Sequence, residues 1–191
     1  MRRDFDGDGR SDVYWRNIAT GENGLWRMSG TAVVGAWSVY READLSWTVV
    51  GSGDFNGDRR SDVVWRNTNS GHVYVQFMNG PTILPESRFA PIVDDLNWRI
   101  VGLADFDGDS LSDLYWRNVV TGLTYVWLMK GAEPTTMQPV HMEPDQGWKV
   151  VGTGDFNGDG YDDLLIGVAG SSEAAVYVVY GNAQGEGMNL D

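Results

Sequence analysis

The sequence "DFDGDGRSD" at residues 4–12 places four aspartates within nine positions and separates them with glycines. Carboxylates this close together repel one another, and neither Asp nor Gly favours the interior of a helix or a strand. Close variants follow at three further places: "DFNGDRRSD" from residue 54, "DFDGDSLSD" from 105 and "DFNGDGYDD" from 155. This recurrence, at intervals of about 50 residues, indicates a repeat protein with one acidic loop in each repeat.

Other sequence motifs recur at the same interval. The motifs "YWRN", "VWRN" and "YWRN" follow the first three loops, and "WTVVG", "WRIVG" and "WKVVG" precede the last three. A third box ends in "RMSG", "FMNG" and "LMKG". We therefore treat the chain as a single repeat domain, residues 1–191, whose four repeats span about 1–46, 47–97, 98–147 and 148–191.

Within each repeat, short β-branched and aromatic runs are separated by turn residues at the spacing of antiparallel strands. No segment has the periodicity of a helix. The sequence predicts an all-β fold, a β-propeller of four blades that are each a four-stranded antiparallel sheet of about 50 residues. We expect the first and last blades to be incomplete, because the first repeat has no "W-x-V-V-G" segment and the last ends in the polar stretch "NAQGEGMNLD". Three arrangements remain open: a closed four-bladed ring, a homodimer of eight blades, or part of a larger propeller.

Composition excludes several classes of function. The net charge is −13, and about half of the 27 acidic residues lie in the four loops. Such a surface is a poor partner for nucleic acid. There is no cysteine for a disulfide or a thiolate. The sequence contains neither a signal peptide nor an apolar run of membrane-spanning length, and we expect a leader to have been removed.

The loops have the pattern of metal sites. Counted from the first aspartate, positions 1, 3, 5 and 9 each offer a side-chain oxygen, and position 7 offers a backbone carbonyl. Calcium is bound by about 6 to 8 hard oxygen ligands, so we predict up to four Ca²⁺ per chain. The predicted ligands are Asp4, Asp6, Asp8, Arg10 and Asp12; Asp54, Asn56, Asp58, Arg60 and Asp62; Asp105, Asp107, Asp109, Leu111 and Asp113; and Asp155, Asn157, Asp159, Tyr161 and Asp163.

Glycine at position 4 of every loop predicts a positive φ as the chain wraps around the ion. Position 6 is glycine in two loops but Arg59 and Ser110 in the others, so we expect strain and weaker binding there. An EF-hand is excluded because position 12 is Trp or Ile rather than Glu, and because the flanking segments are strands. The alternative readings are acidic turns that bind nothing and sites for magnesium, which retains its waters and disfavours all-protein cages.

These residues resemble a known family. The motif "D-x-[D/N]-G-D-G-x-x-D" between two strands, followed by "D-[V/L]-x-W-R-N", resembles the FG-GAP or VCBS-type calcium-binding repeat. Similar repeats occur in the propeller heads of integrin α chains, in bacterial surface proteins and in some fungal propeller lectins. The resemblance implies a propeller with calcium between the first and second strand of each blade, acting outside the cytoplasm. The fourth repeat departs from the pattern, since Ile166, Gly167 and Val168 replace Trp-Arg-Asn.

From this resemblance we expect an extracellular or cell-surface adhesion and recognition scaffold that binds a protein or glycan. A lectin with sugar sites between blades and a non-catalytic accessory domain of a secreted enzyme are the alternatives. We expect no enzymatic activity, because His72 and His141 do not occupy matching positions and the paired carboxylates belong to the loops.

The recurrent tryptophans and the Arg-Asn pairs lead to two separate predictions. Tryptophans at recurrent positions are expected to pack between blades: Trp15, Trp65, Trp116, Trp47, Trp98 and Trp148. Those at less regular positions are better candidates for exposed rings: Trp26, Trp37 and Trp127. The arginines and asparagines of the "WRN" motifs are expected to form ion pairs between blades or to line a sugar site.

Overall fold

The computed structural model describes residues 3–168 and 176–181. The regular secondary structure of these residues consists of β-strands, without a helix. Every strand pairing given for them is antiparallel. The chain divides into two compact units, Met1–Leu96 with Gly131–Glu133 and Asn97–Lys130 with Pro134–Asp191, called unit 1 and unit 2 below. The described residues contain no helix of the length and apolarity that a bilayer crossing requires.

Unit 1 contains the first two repeats. Its first sheet has the order β1-β2-β3, and its second has the order β4-β5-β6-β9, with a small β7-β8 hairpin beside it. The strands are β1 (Val13–Arg16), β2 (Asn23–Ser29), β3 (Ala32–Ser38), β4 (Trp47–Gly53), β5 (Asp62–Asn67), β6 (Val73–Gln76), β7 (Met78–Asn79), β8 (Thr82–Ile83) and β9 (Arg88–Phe89).

Unit 2 contains the last two repeats. One sheet has the order β10-β11-β12-β13, and the other has the order β14-β15-β16. The strands are β10 (Trp98–Ala104), β11 (Asp113–Asn118), β12 (Leu123–Lys130), β13 (Glu133–Met142), β14 (Trp148–Gly154), β15 (Asp163–Val168) and β16 (Val176–Val179).

The prediction of blade-type antiparallel sheets is confirmed. Two of the repeats have four strands in order, and the first has three strands within the described residues. The prediction that the last blade lacks a strand concerns the segment after residue 181, which lies outside the described residues. The fold is therefore the all-β, blade-type repeat expected of a propeller.

The "W-x-[V/I]-V-G" segments pair in one register in all three repeats that have them. In β4 and β5, Trp47 lies opposite Asn67 and Val49 opposite Trp65, and a bulge then brings Gly51 opposite Val64. The other two pairs, β10 with β11 and β14 with β15, have the same pairing and the same bulge. The bulge introduces one extra residue and a local twist immediately before each acidic loop.

Each unit has its own apolar core. The core of unit 1 is formed by Phe5, Leu25, Val63, Trp65 and Met78, all nearly or completely buried. In unit 2 the core consists of a smaller buried set: Tyr115, Val126, Leu164 and Val179. Because the phenylalanine at loop position 2 belongs to the core of unit 1, the acidic loop that contains it is anchored at its first turn.

Candidate metal centre

The aspartate at position 1 organises the backbone of each loop. Asp4 accepts hydrogen bonds from the N–H groups of Gly7 and Gly9, both at 2.7 Å. The first aspartate of each other loop accepts the same two bonds, from positions 4 and 6, at distances of 2.6 to 3.1 Å. A carboxylate oxygen that accepts one hydrogen bond retains a further lone pair, so this residue can hold the turn and still face a cation.

Positions 3 and 5 supply the oxygens nearest to solvent. Carboxylate oxygens of Asp4, Asp6 and Asp8 lie within 4.8 Å of one another, and so do those of Asp105, Asp107 and Asp109. Side chains at both positions also accept the N–H two residues ahead, as Asp8 does from Arg10 at 2.9 Å. The remaining two loops have asparagine at position 3, which contributes a neutral oxygen. The donor set therefore consists of oxygen atoms that converge, and it fits a hard cation.

The predicted backbone strain at position 6 is confirmed. Glycine at position 4 has φ between 76° and 82° in all four loops. At position 6, Arg59 has φ of 66° and Ser110 has φ of 72°, and they are the only non-glycine residues with positive φ in the described part of the chain. This left-handed conformation costs an L-residue roughly 1–2 kcal/mol relative to glycine.

Replacing these two residues by glycine should therefore stabilise the protein. We expect Arg59→Gly and Ser110→Gly each to raise the free energy of unfolding by roughly 0.5–1 kcal/mol, measured by urea denaturation in chelator. The matched reverse substitution, Gly9→Ala, should destabilise by more than the glycine variants gain. Loss of stability in Ser110→Gly would contradict the assignment of strain.

Position 9 has a structural role that sequence reasoning did not identify. Asp62 is fully buried, and its two oxygens accept N–H groups from Phe55 and Met78, both at 2.9 Å. Asp12, Asp113 and Asp163 do the same in their own repeats. The methionines that recur at one repeat position were the sequence signal for this role, since in three repeats a methionine N–H donates the second bond. Each position-9 carboxylate thus ties its loop to the end of the strand that follows and pairs with β1, β5, β11 or β15, or to a residue just after that strand.

Burial sets the electrostatics of this carboxylate. It raises the pKa of Asp62 to about 7 and the pKa of Asp113 to about 8, although the two N–H donors oppose the shift. Burial also raises the pKa of Asp105 and of Asp107, and the neighbouring carboxylates add to that effect. A bound cation would offset this cost, because it favours the ionised form.

These shifts predict a pH dependence for the metal-free protein. The folded-state pKa values of Asp62 and Asp113 lie above the ordinary value of 3.8. The folded state therefore holds more protons, and stability falls as pH rises through about 7 and 8. Urea midpoints of dialysed protein should decrease between about pH 5 and pH 8.5. Saturating calcium should reverse the trend, because metal binding requires ionised ligands. Asp62→Asn should flatten the metal-free curve, whereas a metal-free midpoint that rises over this range would contradict the assignment.

Loops of adjacent blades within a unit are joined by backbone hydrogen bonds. The N–H of Ser61 donates to the carbonyl of Asp4 at 2.6 Å, and the N–H of Asp162 donates to the carbonyl of Asp105 at 2.7 Å. Each bond connects position 8 of one loop to position 1 of the preceding loop. The two acidic loops of each unit are therefore linked directly through the main chain.

The arginine and asparagine of the "WRN" motifs support turns. Asn67 accepts the N–H groups of Asn69 and Ser70 at 3.0 and 2.9 Å, and Asn17 and Asn118 act in the same way. Arg66 and Arg117 donate to backbone carbonyls within their own repeats. The bonds described for Arg66 and Arg117 thus go to main-chain carbonyls, and the expectations of ion pairs between blades and of a sugar site stay predictions.

The burial of the tryptophan side chains differs in part from what the sequence predicts. Trp65 and Trp116 are buried as predicted, but Trp15 is 49% exposed, and within the described residues β1 pairs with β2 alone. Trp127 was expected to be exposed and is buried, with its ring 4.9 Å from that of Trp116. Trp26 and Trp37 are exposed, as expected.

The fold and the loops together define a blade-type repeat protein with an oxygen-rich loop between the first two strands of each complete repeat. The FG-GAP-like repeat matches residues 4–65, 54–116 and 105–166. The chain therefore belongs to the FG-GAP-like repeat family. Comparison with curated proteins gives no match.

Proposed function

We propose that the protein is a calcium-stabilised scaffold of the propeller type, with one Ca²⁺ in each acidic loop. The observation that carries this proposal is the convergence of three carboxylates within 4.8 Å in two loops, together with the same backbone hydrogen bonds in all four. The ligands are the side chains at positions 1, 3, 5 and 9 and the carbonyl at position 7. Calcium accepts such an all-protein oxygen set, whereas magnesium retains several waters.

In this proposal the cation stabilises the fold. Like charges within 5 Å repel by roughly 1 kcal/mol even in water, and by more near a protein surface. Calcium offsets that repulsion and connects the end of one strand to the start of the next. Because Ser61 and Asp162 join neighbouring loops, ordering one loop also supports the adjacent blade.

The four sites should differ in affinity. Loop 1 has four carboxylates and glycine at position 6, so it should bind most tightly. Loop 2 has three carboxylates and the strained Arg59, so it should bind most weakly. Loop 3 has Ser110 at position 6, and loop 4 has only three carboxylates. Both loops should therefore have intermediate affinity.

Calcium counting tests the proposal. Equilibrium dialysis against calcium should give up to four ions per chain, with a first binding step that Asp6→Asn weakens more than Asp107→Asn does. Titration with magnesium should give smaller heats and lower occupancy. Zero bound calcium at about 10 mM free ion, well above the 10⁻⁴ to 10⁻³ M typical of extracellular modules, would contradict the proposal.

We propose affinities in this same range, which would fit an extracellular location. A cytosol poor in calcium would leave such sites empty, so we propose that the protein acts outside the cell or at its surface. Its role there would be adhesion or recognition of a protein, without catalysis.

A carbohydrate-binding role is a second candidate, and a repeated pair of grooves favours it. Unit 1 has a groove of about 350 Å³ and unit 2 has one of about 280 Å³, each between the two blades of the unit. Both include a glutamate, a tryptophan and a tyrosine at equivalent repeat positions, namely Glu42, Trp47 and Tyr74 in unit 1 and Glu143, Trp148 and Tyr177 in unit 2. Aromatic walls with a few polar groups are typical of small-ligand sites.

A glycan array would test this second role. Binding of a defined sugar should weaken at least tenfold in Glu42→Gln, as expected when a buried hydrogen bond worth about 1.4 kcal/mol is lost. Glu86→Gln, an exposed glutamate outside the grooves, is the matched control. An array with no signal from calcium-loaded protein would count against the sugar role and would leave the metal proposal intact.

A further inference from the structure

One face of the second blade presents a row of aromatic rings to the groove of unit 1, called groove 1 below. In the sheet of this blade, Tyr74 lies opposite Trp65 on one side and opposite Phe89 on the other. All three line groove 1, together with Trp47 of β4. Phe89 is 54% exposed although it is an aromatic residue, so part of its ring faces the open side of the groove.

The rings are inclined to one another like the walls of a cage. The ring centroid of Phe89 lies 5.1 Å from that of Tyr74, with 64° between the planes. It lies 6.1 Å from that of Trp47, with 44° between the planes. Tyr40, which is 51% exposed, lines the same groove from the segment that follows β3. Planes inclined in this way can direct several π faces into one space, which a parallel stack does not.

A carboxylate lies in the same groove. Glu42 lines groove 1 and is half-buried, and its Oε1 accepts the N–H of Asp44 at 2.8 Å, which restrains the side chain. None of the ion pairs found in the described part of the chain involves Glu42. Because π faces and a carboxylate both attract positive charge, groove 1 is complementary to a cation.

A cation of the protein itself already contacts this aromatic row. The guanidinium of Arg16 lies 4.8 Å from the ring centroid of Trp65, and Arg16 also donates to the carbonyl of Gly21 at 3.3 Å. Arg16 therefore covers one face of Trp65 and is held by its own repeat. Its charge opposes a second cation, which limits the affinity to be expected. The faces available to a ligand are those of Trp47, Tyr74 and Phe89.

The groove of unit 2, called groove 2, has a different lining. At the position of Trp65 it has Ile166, and Arg117 and His141 are among its lining residues. A guanidinium in the lining repels a cationic ligand, and the isoleucine offers no π face. The comparison therefore restricts a cation site to groove 1.

We propose that groove 1 binds a small quaternary ammonium compound of the choline type. Its methyl groups would contact the faces of Trp47, Tyr74 and Phe89, and Glu42 would balance its charge. Aromatic cages suit quaternary ammonium groups, whereas a primary ammonium is strongly hydrated and requires hydrogen-bond acceptors. The groove volume of about 350 Å³ is within the range of small-molecule sites.

This ligand belongs to a different class from the sugar considered above, and it would occupy groove 1 alone. The proposal depends on the aromatic rings and on Glu42, and not on the acidic loops. It can therefore fail while calcium binding and the scaffold role stand.

Titration of the calcium-loaded full chain with choline chloride is the direct probe. The side-chain NMR signals of Trp47 and Phe89 should shift and saturate with one site per chain and a Kd on the order of 1 mM. The matched ligand control is the carbon isostere of choline, in which a tert-butyl group replaces the trimethylammonium group. It has the same shape without the charge and should bind at least about tenfold more weakly. Equal affinities of the two compounds would overturn the cation site.

Substitutions in the two grooves locate the site. Phe89→Leu keeps an apolar side chain without a π face and should weaken choline binding about fivefold, with little change in Tm because the side chain is exposed. Glu42→Gln should weaken the binding of choline and leave that of the neutral isostere unchanged. Tyr177→Leu in groove 2 is the matched control and should leave choline binding as it is. Loss of binding in Tyr177→Leu with full binding in Phe89→Leu would overturn the assignment to groove 1.

A peptide that contains trimethyl-lysine separates a small molecule from a modified protein as the occupant. Binding of this peptide at least about tenfold tighter than that of choline would overturn the choice of a small molecule. Similar or weaker binding would support it. The absence of saturable shifts at about 50 mM choline, far above the expected Kd, would overturn the site altogether.

Discussion

Removal of calcium is expected to lower the Tm by roughly 10 °C or more. A site with Kd of about 10⁻⁴ to 10⁻³ M contributes roughly 1.4 to 2.7 kcal/mol at 10 mM free calcium. Four such sites contribute several kcal/mol, and for a chain of this size each kcal/mol shifts the Tm by roughly 2–4 °C. The measurement is a pair of thermal melts, one with excess calcium and one with chelator.

Reconstitution is the control for this experiment. Calcium added back after chelation should restore the original Tm, and magnesium at the same concentration should restore only part of it. Identical melting curves with and without chelator would contradict a stabilising role for the ion.

Asp62→Ala should be the most damaging single substitution in the loops. It removes the acceptor for two buried N–H groups, those of Phe55 and Met78. An orphaned buried donor costs about 1–3 kcal/mol, so we expect a loss of roughly 2–6 kcal/mol, offset in part by relief of a buried carboxylate. The loss should be measurable by urea denaturation in chelator as well as in calcium.

Asp58→Ala is the matched control from the same loop. Asp58 is only half-buried and bonds within the loop, to the N–H of Arg60 at 2.8 Å. Its removal should reduce the stabilisation by calcium and leave stability in chelator within roughly 0.5 kcal/mol of the original. If Asp62→Ala and Asp58→Ala were equally stable in chelator, the structural role of position 9 would be wrong.

The parts of the fold that depend on local chemistry could be predicted from the sequence. Short β-branched runs with regular turns specified the antiparallel sheets. The alternation of Asp and Gly specified the loop backbone, including positive φ at Arg59 and Ser110. These features follow from steric preferences and side-chain chemistry within a few neighbouring residues.

The parts that depend on distant contacts could not be predicted in the same way. Whether Trp15 is covered depends on a strand that pairs with β1, and its own motif is the same as that of Trp116. The second bond of Asp62 reaches Met78, 16 residues away, and only the tertiary structure shows which N–H is left without a backbone partner. The carboxylate oxygens at positions 1, 3 and 5 lie together in loops 1 and 3, because Asx-type turns bring such side chains together locally.

Anomalous scattering from crystals grown in calcium would show whether the acidic loops bind the ion. We predict an ion in the acidic loops, bound by the side-chain oxygens at positions 1, 3, 5 and 9 and the carbonyl at position 7, at about 2.3 to 2.6 Å. Loop 1 should have the highest occupancy. Loops without anomalous density at saturating calcium, or ions bound only elsewhere on the surface, would contradict this prediction.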